Sequence, residues 1–273
     1  MDILSALQYE FIRRAIVAGS FIALVCSLLG VLLVLRRFSL IGDGLAHVTF
    51  GSVAVGLLFK QHPLSVAVPI VVVSSIGILK LTQKAKIYGD AAIGIVSSLG
   101  IALGILVASV SGGFNIDLFS FLFGNILSIT ETEVYTSIGL SAVVLAMIVF
   151  FYNENLAATF DEEIARVSGI DTERINSLLV VLTGITVVLT MKVVGIMLTS
   201  SLLILPAVTA LQFARSFKGT MIISSCVAVI SVVTGIYASF LMNLPTGATI
   251  VLMNFFFFVI AFLYKSLVKK RSH

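Results

Sequence analysis

The sequence has very little charge. Of its 273 residues only 11% are Asp, Glu, Lys or Arg, whereas 59% are hydrophobic, and the mean hydropathy is +1.17. An average soluble domain carries about 25% charged residues, so this chain cannot cover a water-facing surface. The shortage of charge excludes an ordinary cytosolic enzyme and a disordered protein, and leaves a polytopic membrane protein. At about 20 apolar residues per span, the length allows roughly eight to ten spans.

Cysteine is scarce as well. Cys26 and Cys226 both lie inside apolar runs, which excludes a disulfide framework and a thiolate metal cluster. The net charge of +4 comes from basic residues in short clusters between apolar runs. Such clusters are typical of cytoplasmic loops, so a lipid bilayer rather than a nucleic acid is the expected partner. The first apolar run is too long for the core of a cleavable signal peptide.

The apolar runs predict transmembrane helices. They are continuous rather than alternating, which favours helices over a β-barrel. Residues 219–264 contain no Asp, Glu, Lys or Arg and must cross twice, with a turn at 242–247. We predict an all-α fold with about eight to nine transmembrane helices in a single domain, 1–273. The predicted spans are 15–35, 44–59, 63–82, 91–111, 133–152, 175–191, 193–213, 220–241 and 246–264.

Loop charge predicts the orientation of the spans. The Lys and Arg clusters alternate so that the N-terminus lies outside and the C-terminus inside, although Arg13 and Arg14 before the first span indicate the opposite. The run 119–129 is apolar yet too short to cross, and we interpret it as re-entrant.

Asp43 and His47 are exceptional because they are ionisable residues close to or inside the second span. An offset of four residues puts both side chains on one face of a helix. A charge in a bilayer costs roughly 3 kcal/mol on insertion scales, and a bound cation would offset that cost. Carboxylate and imidazole are ligands for zinc. The spacing alone leaves open a structural Asp–His pair and a proton relay in a secondary transporter.

Two further regions are candidate functional segments. The polar stretch 159–170 begins with acidic residues and contains Gly169, as a short capped helix would. This helix is either a docking element for another subunit or a solvated linker. In the seventh span Thr199, Ser200 and Ser201 precede Pro206, which is expected to kink or break the helix. These hydroxyls either satisfy the backbone or line a pathway. Asp117, in the outer segment, is expected to cap a helix or to receive a cation.

The chain resembles the membrane permease subunit of bacterial ABC transporters for zinc, manganese and iron(II). The resemblance covers about residues 11–264 and depends on four stretches in a fixed order, which together are highly specific. They are LRRFSLIGDGLAH at 35–47, DLFSFLFGNIL at 117–127, DEEIARVSG at 161–169, and the segment from MKVVG at 191–195 to Pro206 and Ala207.

The resemblance implies a homodimeric permease of the type II ABC importer kind in the bacterial cell membrane. It implies two cytoplasmic ABC ATPase subunits and an extracytoplasmic metal-binding protein as partners. Asp43 and His47 match the family's metal-binding pair. The family's coupling segment corresponds to about 157–172, with Asp161, Glu162, Glu163, Ala165, Arg166 and Gly169.

The resemblance also implies that the metal is cargo rather than a permanently bound cofactor. The segments 191–195 and 202–206 are closer to zinc-uptake members than to manganese members, so zinc is the expected ion. The family site lies well inside the membrane, yet Asp43 follows Arg37 by only six residues. Either the arginine pair is drawn into the protein, or the second span has other boundaries.

The sequence therefore predicts a permease that imports a divalent metal and is not itself an enzyme. It has no G-x-x-x-x-G-K-[S/T] nucleotide loop, so ATP hydrolysis is expected in separate subunits. A proton-coupled metal carrier is the alternative. A membrane-embedded metalloenzyme is disfavoured, because catalytic zinc generally has three protein ligands and the predicted spans contain a single histidine.

Overall fold

The computed structural model describes residues 8–84, 88–111, 116–126 and 129–271. Within these ranges every regular element is a helix, and a short 3₁₀ helix, Ile196–Leu198, precedes α10. The helices are α1 (Glu10–Leu35), α2 (Leu40–Leu58), α3 (Pro63–Lys84), α4 (Gly89–Val110), α5 (Ile116–Phe123), α6 (Glu131–Phe150), α7 (Tyr152–Phe160), α8 (Glu162–Val167), α9 (Thr172–Thr190), α10 (Thr199–Phe213), α11 (Phe217–Met242) and α12 (Thr246–Arg271).

Nine helical segments in the described part are long and apolar enough to cross a membrane, which confirms the all-α polytopic fold. They correspond one to one to the predicted spans, with ends that move by a few residues. The second span shows why: Arg37 has a left-handed φ of 60°, so the chain turns sharply and α2 begins at Leu40 rather than Gly44. The predicted turn at 242–247 is also present, with Asn243 in the left-handed region at the end of α11.

The interior of the molecule is built from α1, α2 and α9, the most buried of the spans. Helix α2 packs most extensively on α4 and α3, whereas α1 packs on α11, α10 and α6. This arrangement places α2, which carries the predicted ligand pair, between the remaining helices and a surface of the chain.

Buried hydroxyl groups in these helices bond to their own backbone. Thr49 and Ser52 in α2, and Thr183 and Thr186 in α9, each donate to the carbonyl oxygen one turn earlier, at 2.7–2.8 Å. A hydroxyl buried without a partner would be costly, so these local bonds explain how polar residues are accommodated inside apolar helices.

The run predicted to be re-entrant is a short helix against the interior. Helix α5 has eight residues, or about 12 Å at the usual rise, and buries Leu118, Phe121 and Leu122. After it the backbone N–H of Asn125 donates to the carbonyl oxygen of Lys192 at 3.0 Å. The chain thus has a short buried helix docked on the α9–α10 link at the position of the predicted re-entrant segment.

One of the two basic residues named before the first span, Arg14, has acidic partners. Arg14 Nη2 lies 2.5 Å from Glu10 Oε1 and 2.6 Å from Glu131 Oε1. These carboxylates neutralise Arg14. A basic residue can therefore lie at the end of the molecule that the loop charges assign to the outside.

Candidate functional site

The predicted ligand pair lies on one face of α2. Asp43 Oδ2 and His47 Nε2 are 3.6 Å apart, and their side chains are 52% and 22% exposed. The helical spacing predicted this juxtaposition, which the structure confirms. Asp43 therefore lies at the surface of this chain, whereas most of the His47 side chain is buried.

Ser200 is the third polar side chain at this position. Its hydroxyl donates to Asp43 Oδ1 at 3.1 Å. The close approach of α10 to α1 and α2 brings it there: a Cβ at Gly30 would lie 1.9 Å from the carbonyl oxygen of Leu203, and one at Gly42 would lie 2.6 Å from the Leu203 side chain. Because both positions are glycine, Leu203 fits between the two helices and the first turn of α10 reaches Asp43.

Helix α4 packs closely against the part of α2 that carries His47. A Cβ at Gly100 would lie 2.9 Å from the carbonyl oxygen of His47, and one at Gly104 would meet the ring of Phe50 at 2.5 Å. Gly94, in the same helix, has no such neighbour within 4 Å. The direct backbone contact at Gly100 fixes the position of α2 where it carries His47.

The other predicted pathway residues have different surroundings. Thr199 is buried, shares a hydrogen bond of 2.6 Å with Thr190 and donates to the carbonyl oxygen of Gly195, so it fastens the α9–α10 link. Ser201 is half-buried and makes no side-chain hydrogen bond within the described ranges. Helix α10 continues through Pro206, so of the two expected effects of this proline, a kink or a break, the break is wrong.

Asp117 is the second residue of α5, and its side chain lies outside the described part. His273 lies outside the described residues altogether. His62 is 56% exposed, with Nε2 at 3.9 Å from Glu133 Oε1.

The sequence did not predict a charged cluster that lies just beyond the C-terminal end of α9. Lys192 Nζ lies 3.2 Å from Glu133 Oε1 and 4.5 Å from the centre of the Phe121 ring. Glu133 also completes the capping box of α6 with Thr130. The isolated charge of Lys192 between two apolar runs was the available signal, but its partner is distant in sequence.

The segment 159–170 contains the predicted short capped helix, α8. The carboxylate of Asp161 accepts hydrogen bonds from the backbone N–H groups of Glu163 and Ile164 at 3.0 and 2.9 Å. Gly169, with φ of +88°, follows the end of the helix. The cap and the glycine therefore have the structural roles that the sequence predicted.

Helix α8 presents apolar side chains to the surroundings. Ile164 and Val167 are 65% and 90% exposed, whereas Ala165 is buried against the rest of the chain. Arg166 and Glu162 form an ion pair of 3.5 Å along the helix. Exposed apolar groups flanked by charges are typical of an interaction surface.

The ligand set of one chain is small. In the ranges that the structure describes, no group of three or more His, Cys, Asp or Glu side chains could hold a metal ion. Asp43 and His47 therefore form a pair of only two such side chains, with the Ser200 hydroxyl beside them. A stable zinc site needs about four ligands.

In the described part of the chain, nine helices long enough to span a membrane and a short capped helix between two of them define a polytopic membrane protein. Residues 8–265 match the model of the ABC 3 transport family, and the chain belongs to that family. It is therefore a multi-pass cell-membrane permease of an ABC transporter, and the resemblance found in the sequence is confirmed.

Several known proteins are similar over nearly the whole chain. The manganese transport system membrane protein MntC of Halalkalibacterium halodurans is 30% identical over 94% of this chain and 88% of its own. The high-affinity zinc uptake system membrane protein ZnuB of Haemophilus influenzae is 29% identical over 93% and 97%. In the solved structure of PsaBC from Streptococcus pneumoniae in complex with Fab, one chain matches with a TM-score of 0.86 and 32% identity, over 95% of this chain and 94% of that one.

Proposed function

We propose that this permease imports a divalent transition metal ion, with Asp43 and His47 as its transient ligands. The observation that carries the proposal is the pair itself. Asp43 and His47 lie 3.6 Å apart on α2, and Asp43 accepts a hydrogen bond from Ser200 of α10. The named relatives support metal as the cargo, since MntC and ZnuB are manganese and zinc transport proteins by name.

We further propose that two copies of the chain enclose the site. Asp43 is half-exposed, and a carboxylate facing lipid would cost roughly 3 kcal/mol. A second copy related by two-fold symmetry would cover the pair with its own Asp43 and His47. The two copies would together supply four ligands to one ion.

Zinc is the ion that we assign to this site. Two carboxylates and two imidazoles make the four-coordinate set of nitrogen and oxygen ligands that zinc accepts. Manganese favours six ligands, mostly oxygen. The relatives are named as manganese, zinc and iron transport proteins, so this assignment depends on the ligand chemistry and the sequence resemblance rather than on the family.

We assign ATP hydrolysis to separate cytoplasmic ABC ATPase subunits that dock on α8, and metal delivery to an extracytoplasmic metal-binding protein. The exposed side chains of Ile164 and Val167 would enter the ATPase. A proton-coupled carrier would need no such surface. Collapse of the proton gradient would stop its uptake, whereas depletion of ATP stops uptake by an ABC importer.

The test is uptake of radiolabelled zinc and manganese by the complete importer in proteoliposomes loaded with ATP. We expect Asp43→Asn and His47→Ala each to reduce zinc uptake by about tenfold or more, because the remaining ligands cannot replace the one that is lost. The matched controls are Asp90→Asn and His62→Ala, which change the same residue types elsewhere on the surface. Full uptake by both ligand variants would refute the ligand role, and a preference for manganese would refute the zinc assignment.

A further inference from the structure

Arg36, at the end of α1, is held by four hydrogen bonds from its guanidinium group. Nε donates to Thr159 Oγ1 at 2.9 Å and Nη1 to Asn176 Oδ1 at 2.8 Å. Nη2 donates to the backbone oxygen and to Oδ1 of Asn155, both at 2.9 Å. One side chain therefore joins three helices, α1, α7 and α9.

This group of side chains extends to α8. Asn176, which accepts from Arg36, donates through Nδ2 to Glu162 Oε1 at 3.4 Å, and Glu162 is the first residue of α8. Burial lowers the pKa of Arg36 to about 10, and the negative charge of Glu162 opposes that fall. Arg36 is therefore a cation at neutral pH, attracted to the helix that carries the proposed ATPase contact.

The same arginine is connected to the ligand pair through a tight turn. Arg37 follows with a left-handed φ of 60°, the backbone N–H of Arg37 donates to the carbonyl oxygen of Val34, and that of Phe38 donates to Leu33. Helix α2 begins at Leu40, and its first turn contains Asp43. The connection between Arg36 and Asp43 is thus short and hydrogen-bonded rather than a flexible loop.

We propose that Arg36 is a positioning residue that couples movement of α8 to movement of α2. The planar guanidinium presents its donors in a fixed fork, so displacement of Asn155, Thr159 or Asn176 displaces Arg36 with them. The hydrogen bonds around Arg36 are partly buried, so these groups should move together, because leaving any of them unpaired is costly. The turn at Arg37 then transfers the displacement to the helix that bears Asp43 and His47.

This inference rests on the proposed function, since it requires a metal site on α2 and an ATPase on α8. Its test is the amount of metal transported per ATP hydrolysed, measured in proteoliposomes that contain the complete importer. Arg36→Lys keeps the charge but cannot reproduce the fork. We expect transport per ATP to fall about tenfold while ATP hydrolysis stays within about twofold, which corresponds to the loss of a coupling interaction of about 1.4 kcal/mol.

The matched control is Arg215→Lys, which makes the same change at an exposed arginine outside this network and should keep the wild-type ratio. Asn176→Ala removes one acceptor and should lower the ratio by about threefold, which also provides the measurement if Arg36→Lys does not assemble. A residue needed only for stability would lower uptake and ATP hydrolysis in parallel. That result, or a wild-type ratio in both Arg36→Lys and Asn176→Ala, would overturn the inference. Absence of metal uptake by the wild-type importer would instead overturn the proposed function.

Discussion

At the scale of single residues, the main feature of the site is that few contacts hold the carboxylate of Asp43. Of its two carboxylate oxygens, Oδ1 accepts one hydrogen bond from Ser200 and Oδ2 faces His47 at 3.6 Å. The side chain remains half-exposed. A transport site must bind its ion and also release it, and a carboxylate oriented by one hydroxyl, without a closed ligand cage, is suited to both steps.

Ser200→Ala tests this orientation. Without the hydroxyl, the carboxylate of Asp43 is free to rotate, and zinc should bind about fivefold more weakly, since one hydrogen bond of this kind contributes about 1 kcal/mol. Isothermal titration of the purified permease with zinc measures the change. Ser201→Ala is the matched control, because it removes a neighbouring hydroxyl that makes no side-chain hydrogen bond in the described part of the chain. Equal affinities for the Ser200 variant and the wild type would contradict the orienting role.

The sequence predicted these residues to different extents. Asp43 and His47 are one helical turn apart, and that juxtaposition is local, so spacing was sufficient. Singling out Ser200 from Thr199 and Ser201 required knowing how α10 lies against α2, which depends on a contact between distant segments. The network around Arg36 likewise joins residues more than a hundred positions apart, and no local pattern indicates it.

At the scale of helices, the site depends on how closely α10 approaches α1. Gly30→Ala would place a methyl group 1.9 Å from the carbonyl oxygen of Leu203. An exposed helical glycine gains about 1 kcal/mol on change to alanine, but here overpacking should cost about 1–3 kcal/mol and push α10 away from α2. We expect a lower melting temperature in detergent and weaker zinc binding.

Gly139→Ala in α6 provides the control for this change. Apart from the adjoining backbone of its own helix, no atom lies within 4 Å of the added methyl group there, so the melting temperature should stay the same or rise. If Gly30→Ala melts like Gly139→Ala, the close approach of the two helices does not limit stability.

Helix α8 allows the ATPase contact to be tested separately from the metal site. Val167 is 90% exposed, so Val167→Asp should leave the permease folded while it places a charge in the proposed apolar contact. We expect copurification of the ATPase to fall about tenfold or more, in line with the loss of a buried apolar anchor. Val167→Ile keeps the apolar surface and should copurify normally. Normal recovery of the ATPase with Val167→Asp would exclude this face of α8 as the docking surface.

At the scale of the whole molecule, the nine spans could be predicted because uncharged stretches long enough to cross a bilayer have few alternatives. The spatial arrangement of the charged groups could not. Lys192 and Glu133 meet at one end of the molecule, and Arg36, Asn176 and Glu162 meet near α8. Both clusters depend on which helix ends lie together, and hydropathy does not encode that.

The ligand count of the whole assembly gives the last prediction. One chain offers Asp43 and His47, whereas zinc generally takes four ligands, so two copies that share a site should bind about one zinc ion per two chains. Elemental analysis of the purified permease after removal of free zinc measures this ratio.

Mixed dimers separate a shared site from two independent ones. Copies with different affinity tags, one of them carrying His47→Ala, are expressed together, and the mixed form is isolated on both tags in succession. If the two chains share the ion, one missing imidazole weakens the single site, and zinc affinity should fall about tenfold or more. If each chain has its own site, the mixed dimer would keep half of the bound zinc at unchanged affinity, and the proposed four-ligand site between the copies would be wrong.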